Sequence, residues 1–420
     1  MSTSLFKPII THNKHMQNKV VNTIISASAL SSLAIAGPFE TPTIEATSVK
    51  DAPKLSSSSP ASSFEDLLKN GGTFYKNSDN PYIQKAKIYG RVQIQGGTVL
   101  TDGEEFGFAE LRRTRVGAEI QFFQHFKWKG NADLENGSVN DIELDEFTGF
   151  DDAGISADLV SLFNINGFDK LSLTAGKKKI KIGADVHTSS TKIKTVERTR
   201  WTDNGLRPDN STGFLLNGKT SGVSFAAGVF ANADDSGFNF WQDGDASFAY
   251  GSVQFGAGPG DIVIDGIFTF GDEDQENLAT SNDYAWSVAY LTEIAGWETE
   301  FNVGGAQDFD GDNLFGASIL GSKNITEKLE FVGRLSYATG DHSALDSSSR
   351  NAREDDVVGG ERDLVNGDNA FNAYVGLNYY FIGHNSKILL GVEYDHVSDA
   401  DNVEGNEDAF TLSAAYRLRF

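Results

Sequence analysis

The chain has 420 residues, 39% of them apolar, and a formal net charge of −24. A mean hydropathy of −0.31, with no run of eighteen apolar residues after the extreme N-terminus, excludes a helical membrane protein. The negative balance argues against a nucleic-acid binder, while 44 Gly, 30 Phe and no Cys suit a β-protein that crosses an oxidising compartment.

The first element is a secretory signal, expected over residues 1–36. Met16 and Lys19 precede an apolar stretch from Val20, and Ala34-Ile35-Ala36 supplies a small-residue cleavage site. Residues 37–84 are expected to be a periplasmic linker, with Pro38, Pro42, Pro53, Pro60 and a serine run. Ser63, with Asp66 three residues on, is placed to cap a short helix over 63–68.

From residue 85 to 420 the chain alternates with period two. Lys87, Tyr89, Arg91, Gln93 and Gln95 share one face, and Ile88, Val92 and Ile94 the other. The same pattern recurs at Phe126–Leu134, at Tyr284–Tyr290, from Trp297 and Leu329, and at Phe371–Phe381 and Ile388–Tyr394. It ends with Phe410, Leu412, Ala414, Tyr416, Leu418 and Phe420 against Thr411, Ser413, Arg417 and Arg419. A closing strand that ends on Phe420 is the signal by which barrel-assembly machinery recognises outer-membrane barrels.

Soluble β-proteins alternate too, so the connections decide. Short ones fall near 123–125, 218–222, 257–260, 292–296, 322–327 and 382–386. Long ones fall near 97–106, 179–211, 232–245, 271–281, 305–312, 338–368 and 398–407. Two stretches break the rule, a long turn near 150–170 and a short loop near 137–141. Short turns on one side and long loops on the other predict an all-β transmembrane antiparallel barrel of about sixteen strands in outer-membrane lipid. Tyr290, Trp297 and Tyr379, near strand ends, suit an interfacial aromatic girdle.

Charge is unevenly placed. Residues 338–368 hold eight Asp or Glu against three Arg. Asp308, Asp310 and Asp312 have the spacing of a calcium loop, but Ile319 stands where the closing Glu belongs, which favours a solvated acidic loop. Residues 177–207 are the opposite, with nine Lys or Arg against three acids. Predicted lumen positions add Lys87 and Arg91, Arg113 and Arg115, Lys127 and Lys129, and Arg417 and Arg419, which closure brings into one basic wall. With Lys178, Lys192, Lys194 and Arg198 of the loop, these are the candidate pore-lining residues for anion selectivity. Asp265, Glu298, Glu300, Glu330, Glu393 and Asp395 form an opposing acidic wall, so a transverse field is expected.

The stretch Phe74-Tyr75-Lys76-Asn77 through Asn80-Pro81-Tyr82-Ile83-Gln84, then Gly90-Arg91-Val92-Gln93, resembles the start of the phosphate-selective porins of the O and P type. So does Leu111-Arg112-Arg113-Thr114-Arg115-Val116-Gly117. The segment Leu173–Gly183 is similar to that family's glycine-lysine entry to its third loop, and Glu197-Arg198 to a Glu-Arg pair within it. The resemblance implies a sixteen-stranded homotrimer whose Arg and Lys guide small anions, phosphate among them, through a lumen narrowed by the third loop. No cofactor is expected. His125, His187, His342, His384 and His396 are scattered, with no nucleophile motif around them, so an enzyme is not expected. The rival reading is a structural or adhesive barrel with a plugged lumen.

Overall fold

The computed structural model describes residues 68, 72–101, 104–134, 137–138, 147–233, 246–271, 278–345, 367–398 and 406–420, all within one compact unit, Ser59–Phe420. The expected signal segment, the start of the linker and, apart from Leu68, the expected helix lie outside them.

The strands are β1 (Gly72–Lys76), β2 (Ile83–Thr101), β3 (Glu104–Phe122), β4 (Phe126–Leu134), β5 (Gly137–Ser138), β6 (Phe147–Asp158), β7 (Lys170–Lys178), β8 (Ser211–Thr220) and β9 (Val223–Ala231). They continue with β10 (Ser247–Ala257), β11 (Gly260–Phe270), β12 (Asn282–Ile294), β13 (Trp297–Asp308), β14 (Asn313–Asn324), β15 (Leu329–Gly340), β16 (Asn369–Tyr380), β17 (Ser386–Ser398) and β18 (Glu407–Arg419). Sixteen of these, all but β1 and β5, pair antiparallel with their neighbours, and β18 returns to β2 to close the barrel, with Ala409 opposite Thr101 and Leu418 opposite Val92. The sixteen expected strands are therefore present.

Burial is inverted relative to a soluble protein. On β18, Phe410 and Leu412 are 51% and 62% exposed, while Thr411 and Ser413 are 0% and 2% exposed. On β17 the outward Leu390 and Val392 are exposed and the inward Glu393 is buried. A continuous apolar belt of this kind is costly in water and is satisfied by lipid. At the short-turn end Trp297 packs edge-on against Phe331 (5.9 Å), Tyr379 packs against Phe381, and Tyr290 donates to the Ala257 carbonyl.

The short connections are made by local turn chemistry. Ser221-Gly222 and Ala295-Gly296 all have positive φ, as two-residue hairpins demand. The expected long turn near 150–170 is shorter: β6 runs to Asp158, whose carboxylate caps α1 (Leu159–Phe163) by accepting from the Val160 and Ser161 amides. The stretch near 97–106 is paired strand rather than open loop. Val99, Phe108 and Ala409 bury one another there, which carries β2 and β3 to 19 residues each, beyond what spanning requires. The region expected as linker also holds β1. It occupies the edge of β2 left open below the C-terminus, with Gly72 opposite Ile88, two residues from where Gly90 and Phe420 exchange backbone hydrogen bonds.

Candidate functional site: a basic cavity between the wall and an inserted loop

The connection from β7 to β8, residues 179–210, carries its own binary pattern. Ile180 and Ile182 alternate with Lys179 and Lys181, and Ile193, Val196, Trp201 and Leu206 follow, each of these apolar residues no more than 5% exposed. Short helices α2 (Ala184–His187) and α3 (Arg200–Asp203) punctuate the segment. Ile180, Ile182, Trp201 and Leu206 form one core with Phe230, Phe248, Tyr250, Ile267 and Leu314 of the barrel interior, and Val196 packs on Leu389 and Ala415. The apolar side of the loop is thus committed to the wall made by the later strands.

Polar anchors reinforce that choice. His187 Nε2 lies 2.8 Å from Asp265, which also accepts from the Gly183 amide. Lys387 donates to the Ile193 carbonyl (2.7 Å), Asn378 to that of Lys194 (2.8 Å) and Arg334 to that of Glu197 (2.8 Å). Arg417 donates to the Ser190 and Val196 carbonyls. Lys194 bridges Glu298 and Glu330, the latter at 3.0 Å, and Arg334 pairs with Glu393 at 2.8 Å. The anticipated acidic wall is therefore largely occupied. Asp265, Glu298, Glu330 and Glu393 hold the loop or its supporting groups, so in place of a bare opposed wall the loop covers Asp265, Glu330 and Glu393 while Glu298 stays exposed beside Lys194.

What remains on the other side is a cavity of about 1020 Å³ between the loop and β2–β7. Among the described residues it is lined by twelve Lys or Arg and four Asp, an excess of eight positive charges. Lys85, Lys87, Arg91, Arg113, Arg115 and Lys129 come from the wall, Lys177 from the end of β7, Lys179, Lys181, Arg198 and Arg207 from the loop, and Arg419 from β18. Lys87 and Lys129 flank the Tyr89 ring at 5.4 and 5.7 Å.

Pairing divides these cations. Arg91 and Arg115 bind Asp151, and Arg115 also meets Asp133. Lys129 and Lys178 share Asp152, and Lys85 and Lys87 share Glu119. Arg198 donates to the Asp185 and Thr188 carbonyls, both 3.0 Å away. Arg207 pairs with Asp203. Burial alone would raise the Asp203 carboxyl, but the guanidinium groups of Arg207 and Arg198 outweigh it and hold it well below the usual range. Arg113 reaches Gln93, while Lys179 and Lys181 make no ion pair among the described residues. Burial, helped by nearby Arg198 and Arg207, pushes the Lys179 ammonium well below its ordinary value.

The residues singled out from the sequence separate accordingly. Lys87, Arg91, Arg113, Arg115, Lys129, Arg198 and Arg419 come together around the cavity. Lys178 sits beside it through Asp152, whereas Lys127 is exposed on β4 away from it. Lys192 is exposed outside the cavity lining, Lys194 is neutralised by two carboxylates, and Arg417, 2% exposed, anchors the loop. Lys85, Lys177, Lys179, Lys181 and Arg207 were not among the residues singled out. The Lys-Ile-Lys-Ile alternation at 179–182 was the available signal for two of them.

A closed sixteen-stranded barrel with a lipid-facing apolar exterior and a loop seated in its lumen defines an integral outer-membrane channel of the porin class. The family model of phosphate-selective porins O and P matches residues 87–254, which span the inserted loop and the basic residues of β2–β4 from Lys87 on. Among solved structures, OprB of Pseudomonas putida in its high-pH form is similar over 84% of this chain and 96% of its own, with a TM-score of 0.54 and 8% identity. OmpF of Salmonella typhi, in complex with daunomycin, is similar over 82% of this chain and 100% of its own (TM-score 0.52, 12% identity). The outer-membrane channel DcaP of Acinetobacter baumannii covers 82% and 99% (TM-score 0.51, 10% identity). At these identities the likeness is one of fold. No curated protein matches the chain.

Proposed function

We propose that this porin is a passive channel for small anions, phosphate among them, and that the basic cavity between loop and wall is its selective stretch. The observation that carries the reading is the excess of eight positive charges around a cavity inside a chain of net charge −24. Low-dielectric walls focus such a field, raise the local anion concentration and repel cations. Lys179, Lys181 and Arg113, which line the cavity and make no ion pair among the described residues, are the groups a passing anion would meet first. The reading extends to a homotrimer, the state the family resemblance implies, and to delivery by barrel-assembly machinery that recognises Phe420.

Purified protein in a planar bilayer under a potassium chloride gradient tests this. The expected zero-current potential has the sign of anion preference, and added phosphate reduces the chloride current. A cation-preferring parent would overturn the reading, and a barrel with no conductance would favour the plugged alternative. Migration of unheated protein at three times the monomer mass on a denaturing gel tests the trimer.

A further inference from the structure

The ladder between β4 and β6 carries an irregularity beside the cavity. Asn131 stands opposite Asp152 and Ala132 opposite Phe150, so Asp151 is an extra residue with no partner across the strand. In a regular strand one of two adjacent Asp would face lipid at considerable cost. The bulge instead lets both carboxylates turn into the lumen, where both line the cavity.

Their contacts are built rather than incidental. Asp151 is ion-paired with Arg115 (2.7 Å) and accepts from Arg91 (3.3 Å) and Asn131 (2.9 Å), and its other oxygen accepts from Asn210 (2.9 Å), where the loop rejoins the wall. Asp152 accepts from Lys129 at 3.0 Å and from Lys178.

We propose that the bulged Asp151–Asp152 pair is a resident counter-ion that sets how tightly the lumen holds its anions. The proposal rests on the anion reading above. An incoming anion meets Arg113 and Lys179, which line the cavity with no ion pair among the described residues, but it gains Arg91, Arg115 or Lys129 only by displacing a carboxylate already there. Conduction needs sites attractive enough to enter and weak enough to leave. Without the pair the lining would carry an excess of ten positive charges, which errs toward trapping; the two fixed carboxylates bring it to eight and make the well shallower. The pair therefore determines throughput and discrimination, while the unpaired cations determine sign.

The test is Asp151→Asn, Asp152→Asn and the double variant, each of which keeps side-chain size. The readouts are zero-current potential and single-channel conductance against chloride concentration, with and without phosphate. In the double variant, anion preference should rise and conductance should saturate at a chloride concentration lower by on the order of tenfold, the effect of removing repulsion from neighbouring charges at intermediate dielectric. Phosphate block should deepen in parallel. Folded variants that saturate where the parent does would overturn the proposal and leave the pair as wall reinforcement. The sign of the parent's potential judges the anion reading separately, because the variants are scored only as changes from it. If the Asp151 variants do not fold, Asp152→Asn, whose hydrogen-bond partners among the described residues are Lys129 and Lys178, decides alone.

Discussion

Two glycines show how single residues set the barrel's tolerances. Gly90 and Phe420 exchange backbone hydrogen bonds at 3.2 and 3.1 Å, and a Cβ on Gly90 would lie 2.6 Å from the Phe420 ring. Removing Phe420, or converting Gly90→Val, should impair closure. The second change should cost about 1–3 kcal/mol by overpacking, read as a lower urea midpoint of the heat-modifiable band; wild-type behaviour of both would remove the seam from this account. Charges at the outward Leu390 or Val392 should cost about 2–4 kcal/mol near the midplane. By alternation alone Gly391 faces the lumen and would accept a charge. Its ideal Cβ, however, meets the Tyr374 ring at 2.4–2.5 Å, and Gly376 lies under the same ring. Gly391→Ala should therefore destabilise the parent and be nearly neutral in a Tyr374→Ala background; equal costs in both backgrounds would show that the ring is not the obstacle. The facing of Gly391 was legible in the sequence, but the aromatic lid over it was not, because the lid comes from the neighbouring strand.

At the level of the element, the loop of residues 179–210 acts as a partition with an apolar side and a basic side. Its charge was plain from the sequence, yet its division of labour was not, since that depends on which wall each residue meets. Lys194 and Lys179 look alike in the chain, but one is spent on Glu298 and Glu330 while the other faces the cavity with no ion pair among the described residues. Replacing Lys179 and Lys181 together with Glu should move the zero-current potential toward cation preference, and by more than the single Lys194→Gln change. The reverse ranking would place the selective stretch on the other side of the loop. The depressed pKa of Lys179 adds a pH dependence. A cation whose pKa is lowered loses its charge earlier as pH rises, so anion preference should weaken on the alkaline side well before ordinary lysines titrate near 10.4. Lys179→Met should start from a weaker preference and lack that early step. An identical pH profile in the variant would assign the titration elsewhere.

Across the whole molecule, charge is sorted by location. A net of −24 coexists with a strongly basic lumen because the acids concentrate in the long connections and beneath the inserted loop. The barrel itself was readable from the chain, since lipid on one side and water or loop on the other impose period two on every strand, as from Ile388 to Tyr394. Closure register and the covering of Asp265, Glu330 and Glu393 were not readable, because they join residues far apart in sequence. Ionic strength probes the sorted field. The Debye length shrinks from about 10 Å at 0.1 M to about 3 Å at 1 M salt, so the chloride-to-potassium permeability ratio should fall toward unity across that range. A ratio independent of salt would indicate selection by direct coordination instead of by field.

The loop's anchors also impose an order in time. Ser190 is held by Arg417, 227 residues later in the chain, and Ile193 by Lys387, 194 residues later. Closing such long loops is entropically expensive and slow, and these partners reach their places only as the final strands are laid down. The stretch from Ser190 to Val196 therefore completes its docking only when the last two strands are in place, although Ile180, Ile182, Trp201 and Leu206 already have partners on β9–β14. The side chains that finish seating the loop thus lie on the strands that finish the seam, which ties the final shape of the lumen to closure of the barrel.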